Sequence, residues 1–152
     1  MNRYSKLIFI SSANTSRSPM AEVIYKSLDE NSGIEVMSRG LVVLFEEPGN
    51  MKAEAVLNNH DLSMGEHVSR QITAEDIDDQ TLLLTMNDKQ KSSVLQDFPQ
   101  AKNVYTISEY AEEIMEMHDP YGGDLAEYEK CYQELVRVVK KVIFKLHDEN
   151  AV

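Results

Sequence analysis

The segment Ile10-Ser11-Ser12-Ala13-Asn14-Thr15-Ser16-Arg17-Ser18-Pro19-Met20-Ala21-Glu22 holds the residues of this chain best suited to chemistry. Ser11, Ser12, Ala13, Asn14, Thr15 and Ser16 are small or polar. Such residues let a loop close tightly with its backbone N–H groups turned inward. Arg17 adds a planar pair of donors that matches two phosphate oxygens. Pro19 suits the first helical position, and a helix N-terminus carries partial positive charge. Together they describe a cradle for an oxyanion such as phosphate or sulfate. Neither nucleotide fingerprint is present, since the segment has no GxxxxGK[ST] and no GxGxxG. The plainer reading is a strand-to-helix turn with Ser18 as N-cap and Pro19 opening the helix.

The elements that must position this loop are legible as alternating apolar runs and amphipathic segments. LIFI (7–10), IEVMS (34–38), TLLLT (81–85) and NVYT (103–106) read as strands. Helical periodicity covers 19–31, 50–59, 88–97, 108–116 and about 124–147. In the last of these, Leu125, Tyr128, Tyr132, Leu135, Val138, Val139, Val142 and Leu146 recur at steps of three and four. Alternation of strand and helix predicts a single α/β domain over 1–152, with a central four-stranded parallel sheet covered by helices on both faces. Ligands are then expected at the carboxyl ends of the strands. The run Leu41 to Phe45 fits either a strand or an apolar loop near the site.

Composition sets limits on partners. Acidic residues outnumber basic ones 26 to 15, for a formal charge of −11, which argues against nucleic acid or an anionic membrane as partner. With one cysteine, Cys131, no intrachain disulfide can form, which suits a cytoplasmic protein. The apolar run after MNRYSK is too short for a signal peptide or membrane span. His60, His67, His118 and His147 lack metal-ligand spacing and read as surface or satisfied histidines, so no metal or cofactor is expected. Glu75 to Asp79 reads as a solvated helix start after Thr73.

A second motif lies late in the chain, at Asp119-Pro120-Tyr121-Gly122-Gly123. Alone it is a turn sequence. In order with the opening loop, it resembles the low-molecular-weight protein tyrosine phosphatases of bacterial type. Their loop signature runs V-C-x-G-N-x-C-R-S-P, and their acid motif is Asp-Pro followed by an aromatic residue. Asn14, Arg17, Ser18 and Pro19 match the first, and Ala21 and Glu22 continue the match. Ser38-Arg39-Gly40, Ser69-Arg70-Gln71-Ile72-Thr73 and Leu84-Thr85-Met86-Asn87 look like further family landmarks, so the resemblance spans nearly the whole chain.

The resemblance implies phosphomonoester hydrolysis through a phosphoenzyme, with a phosphorylated protein or small phosphomonoester as substrate. Arg17 would hold phosphate, Asp119 would be general acid and then base, and Ser18 would donate to the nucleophile. Asn14 would brace the loop and Tyr121 would wall the pocket, with Leu44 and Phe45 on the opposite rim. Three positions depart from the signature: Ser11 stands where the family has its nucleophilic cysteine, Ala13 replaces the loop glycine, and Ser16 replaces the second cysteine. A cysteine in such a loop ionises readily, whereas a serine needs a base. The chain therefore reads as an inactive, substrate-trapping form of a tyrosine phosphatase. Two alternatives stay open. One is a protein arginine phosphatase, because arginine-directed members carry threonine at the position of Thr15. The other is a natural phosphate- or phosphoprotein-binding module. An arsenate reductase would need more cysteines than Cys131.

Overall fold

The computed structural model describes residues 3–151; Met1, Asn2 and Val152, the ends of the expected 1–152 domain, lie outside the described residues. Four strands, β1 (Lys6–Ser11), β2 (Glu35–Gly40), β3 (Thr81–Thr85) and β4 (Val104–Thr106), form one sheet in the order β2-β1-β3-β4. Every pairing is parallel. The helices are α1 (Arg17–Leu28), α2 (Met51–Asn59), α3 (Asp88–Asp97), α4 (Ile107–Tyr110) and α5 (Leu125–Ala151), with a 3-10 turn at Ala74–Asp76.

The near-continuous apolar strands reflect burial on both faces. Leu7, Phe9, Leu82 and Leu84 point into a core shared with α1, α2 and α5. Ile8, Ile10 and Leu83 point the other way, against Val94 of α3, Ile72 and Ala101. Because side chains alternate along a strand, β1 supplies both cores and fixes the height of the loop that follows it. The apolar stripe expected on the last helix is the buried face of α5 from Tyr128 to Leu146, while Leu125, expected at its start, is exposed.

Two expectations change, and the choice left open at 41–45 falls to the loop. Helix α1 begins at Arg17, two residues before Pro19, and Ser16 occupies the N-cap position without a side-chain cap bond. Ser18 is therefore helical, and Pro19 sits third, where the missing N–H still costs no helical bond. The segment 108–116 is helical only to Tyr110; Glu112 adopts φ 60°, a left-handed conformation that ends the helix. Leu41 to Phe45 form no strand. Instead Leu41 and Val42 donate their N–H groups to the carbonyls of Ser11 and Ser12.

Gly40, at the end of β2, lies directly under the loop. A Cβ there would stand 2.7 Å from Val43 Cγ2 and 3.1 Å from Asn14 Cβ. The segment leading to Asp119 is tied to α5 through Glu113, which pairs with Arg137 and Lys141. Hydrogen bonding from Arg137, then Lys141, holds the Glu113 carboxyl down at about 2. Among the described residues no helix is long and apolar enough to cross a membrane.

Candidate active site

Ser11 ends β1 and Arg17 opens α1, so residues 12–16 must turn the chain between a strand and a helix that are both fixed by core packing. The turn is made at Asn14, whose φ is 62°. A short polar side chain tolerates this region better than other non-glycine residues. Ala13 carries no positive φ, so the alanine in place of the family glycine meets no backbone strain.

Asn14 is fully buried and satisfied on every side. Its Oδ1 accepts from Arg70 N at 3.0 Å, which fixes the amide orientation. Its Nδ2 donates to Ser18 Oγ at 2.9 Å, and its backbone carbonyl meets His67 Nε2 at 2.8 Å. His67 reads in the sequence as an unremarked satisfied histidine, yet it braces the loop directly. The landmark at 69–73 has the same function, since Arg70 N donates to Asn14 and Ile72 N donates to the Gly40 carbonyl. On the other flank, Asn50 donates its N–H to Thr15 O while its side chain caps α2. Ser38 at the edge of the sheet donates to Glu22 of α1 at 2.7 Å.

Ser11 Oγ lies 2.6 Å from Ser18 Oγ and accepts from Asn14 N at 3.2 Å. Asn14 Nδ2 can only donate, so Ser18 Oγ accepts from it. The Ser18 side chain is buried, and the acceptor in reach of its own proton is Ser11 Oγ. Two donors thus converge on Ser11 Oγ. No carboxylate or imidazole is hydrogen-bonded to it among the described residues.

Arg17 is only 6% exposed, and its guanidinium stands 3.5 Å from Asp119 Oδ2 and 3.4 Å from the Met117 carbonyl. Asp119 accepts from Tyr121 N at 3.0 Å, a local turn that leaves the carboxylate 61% exposed at the mouth. The acid segment is held from outside by Lys52 Nζ on Gly123 O, Glu116 on Asp88 N, and His118 on Glu127. The resulting cleft of about 240 Å³ is lined by Ser11 to Arg17, Asp119 and Tyr121. It therefore brings together every site residue expected from the sequence except Ser18, which supports the floor from below. Leu44 and Phe45 are not part of this lining; both are largely exposed, and the wall opposite Asp119 is the loop itself.

The remaining chemistry-bearing residues have structural partners. His60 stacks on Tyr132 and meets Glu129, and His147 meets Asp29. Asp76 closes a capping box with Thr73 and pairs with Arg39. Cys131 is buried in α5, and burial pushes its thiol up to about 12 even though the Arg17 charge opposes the shift. It is a neutral thiol at physiological pH and no substitute for a thiolate at position 11. Among the described residues no group of three His, Cys, Asp or Glu could hold a metal ion.

Fold and cleft together define an α/β protein built around a strand–loop–helix pocket faced by an arginine and an aspartate. The profile of the low molecular weight phosphotyrosine protein phosphatase family matches residues 6–152, and the chain belongs to that family. The low molecular weight protein-tyrosine-phosphatase PtpB of Staphylococcus epidermidis is 34% identical over 140 residues, covering 92% of this chain and 98% of that protein. YwlE arginine phosphatase from Geobacillus stearothermophilus superimposes with a TM-score of 0.89 at 28% identity, covering 97% of this chain and 96% of that one. A cysteine-to-serine mutant of YwlE arginine phosphatase with a phosphorylated active-site serine also gives a TM-score of 0.89 at 28% identity, covering 96% and 98%.

The bracing of the loop through Asn14 generates a prediction about stability. Asn14→Gly keeps the left-handed backbone but strips Arg70 N and Ser18 Oγ of a buried partner, at a cost of about 1–3 kcal/mol. Asn14→Ala adds a penalty of roughly 1 kcal/mol for a side chain at positive φ without local bonding. Urea unfolding should rank the proteins wild type, Gly, Ala in falling midpoint, with unchanged slope.

Proposed function

We propose that this chain captures the phosphoryl group of a phosphorylated protein side chain in the Ser11–Arg17 loop, with Ser11 in the nucleophile's place, and turns it over very slowly. The observation that carries this reading is the state of Ser11 Oγ. It stands at the floor of the cleft, accepts from Ser18 and Asn14 N, and has no base beside it. A neutral hydroxyl oxygen has two lone pairs, and both are engaged here. The same two donors would stabilise a thiolate, which keeps a further pair free for attack.

The rest of the machinery suits phosphoryl transfer. Arg17, almost buried, offers two N–H groups to the equatorial oxygens of phosphate and stabilises the charge they gather in the transition state. Asp119 at the mouth is on the leaving-group side, able to protonate the departing oxygen and then to take a proton from water. In such a reaction the Ser11 Oγ–phosphorus bond forms as the bond to the leaving oxygen breaks, and the Oγ proton passes to solvent. The product is a phosphoserine, whose alkoxide leaves far less readily than a thiolate. Phosphorylated serine in the active site of the YwlE mutant supports the idea that serine in this setting can accept and retain the group.

Tyrosine-directed relatives head the sequence matches, and exposed Tyr121 at the rim suits stacking on a phosphotyrosine ring. Thr15 favours a second reading. It lines the cleft, and its hydroxyl suits a guanidinium-borne phosphate as in an arginine phosphatase.

Three measurements test these readings. Arg17→Ala should weaken binding of inorganic phosphate or vanadate by about a hundredfold or more in titration calorimetry, because two charge-assisted hydrogen bonds are lost. Unchanged affinity would remove Arg17 from the site. Ser11→Cys should raise p-nitrophenyl phosphate hydrolysis by several orders of magnitude under reducing conditions. A folded, phosphate-binding and inactive Ser11→Cys protein would leave a binding module as the function. In that cysteine background, kcat/KM for matched peptides separates the substrates: a phosphotyrosine preference is expected with Thr15 and with Thr15→Ile, whereas a phosphoarginine preference that Thr15→Ile reverses would establish the second reading.

A further inference from the structure

A second cavity, of about 390 Å³, lies directly behind the loop. Its lining shares Ser12 and Ala13 with the phosphate cleft, so the two cavities are separated by a single thickness of backbone. That partition is rigid. Gln90 of α3, itself buried, donates from Nε2 to Ser12 Oγ at 3.1 Å while its Oε1 accepts from Met86 N at 2.8 Å. The Ser12 carbonyl is held by Leu41 N and Val42 N.

The side chains around this cavity have a definite order. Leu41 and Val42 provide an apolar flank, and Lys89, in the first turn of α3, lines the same cavity. Among the described residues Lys89 is in no salt bridge, as is also true of Lys52, Lys130, Lys140 and Lys145, whereas Lys6, Lys26, Lys91, Lys102 and Lys141 pair with carboxylates. A cation in the first turn opposes the helix dipole and lowers the stability of α3. Lys89 thus puts a positive charge without an ion-pair partner on the wall of this cavity, across the Ser12–Ala13 ridge from the cleft. The other charge on the cavity, Asp97, lies eight residues on, about 12 Å farther along the helix axis.

We propose that this cavity receives the residue next to the phosphorylated one in a protein substrate, and that Lys89 selects an acidic side chain there. The proposal rests on the phosphoryl-capture function of the neighbouring cleft. A peptide whose phosphate sits on the loop amides crosses the Ser12–Ala13 ridge within one residue. Its neighbouring side chain then meets Leu41 and Val42 with its stem and Lys89 with its head. The local charge matters because the molecule as a whole is anionic at −11 and repels acidic peptides at long range. Arg17 and Lys89 lie on either side of the ridge and offset that repulsion where a doubly acidic substrate lands.

The test uses the unmodified chain and its Lys89→Ala and Lys89→Glu variants, all altered only at an exposed position. The probes are inorganic phosphate and short phosphotyrosine peptides that carry either Glu or Gln on both sides of the phosphoresidue. The same pair is built on phosphoarginine. Lys89→Ala should weaken the Glu-flanked peptide two- to fivefold, the range of an exposed ion pair, and Lys89→Glu about tenfold. The Gln-flanked peptide should change by less than twofold, phosphate should not change, and the discrimination should shrink as salt rises. Equal losses for Glu and Gln peptides, or no loss for either, would overturn the acidic subsite. Failure of inorganic phosphate to bind the unmodified chain would instead overturn phosphoryl capture itself, and the subsite with it.

Discussion

The site depends on one residue held in an unusual conformation. Asn14 turns the chain with φ 62°, and its side chain spans Arg70 N on one side and Ser18 Oγ on the other. Without that turn, a loop of five residues could not join the end of β1 to the start of α1. The bond to Arg70 fixes the amide, the amide fixes the role of Ser18, and Ser18 fixes what reaches Ser11. His67 and Asn50 then hold the backbone carbonyls of Asn14 and Thr15 from two different segments. The loop is therefore specified by contacts from residues 50, 67 and 70 as much as by its own sequence.

Charge is organised in the same layered way. The surface is strongly acidic, yet the cleft is built around a nearly buried guanidinium. Taking Arg17 out of water is costly unless its charge is met by partners. Met117 O and Asp119 meet it in the free protein at 3.4 and 3.5 Å, both long for strong bonds. Those loose contacts leave donors available to an incoming anion. The same cation sits near Cys131, whose burial outweighs it and keeps the thiol protonated. An arginine alone therefore does not make a thiolate.

Much of this was legible in the sequence because burial on both faces makes a parallel strand a plain apolar run. LIFI and TLLLT are recognisable without any pairing information; the first strand gains one residue at each end, and TLLLT has the bounds expected. The ends of helices were harder. Pro19 is compatible with any position in the first turn, so it could not distinguish a helix starting at Arg17 from one starting at Pro19. The stop at Tyr110 carries no glycine or proline; it comes from Glu112 in a left-handed conformation and from the bonds that pull 113–118 toward α5 and α3. The supports of the site were least legible. His67 and Gln90 act through the loop from segments distant in sequence, and nothing in their immediate neighbours marks them. Their signal exists only after the fold brings β3, the 63–71 segment and the loop to one end of the sheet.

Position 11 shows why a site can retain its form when its central atom changes. Two hydrogen-bond donors aimed at one point favour an anion there. With sulfur, the anion is a thiolate: it is stabilised, it keeps an electron pair for attack, and it later departs as a good leaving group. With oxygen, the group stays neutral, and the same donors occupy both lone pairs of the hydroxyl. On the proposed reading, geometry that activates one nucleophile thus restrains the other. On that reading, a neutral oxygen at position 11 also spares an arriving phosphate dianion the repulsion that a thiolate would exert. Within the proposed function, binding and turnover respond to this one atom in opposite directions, in a loop braced by Asn14, His67 and Gln90.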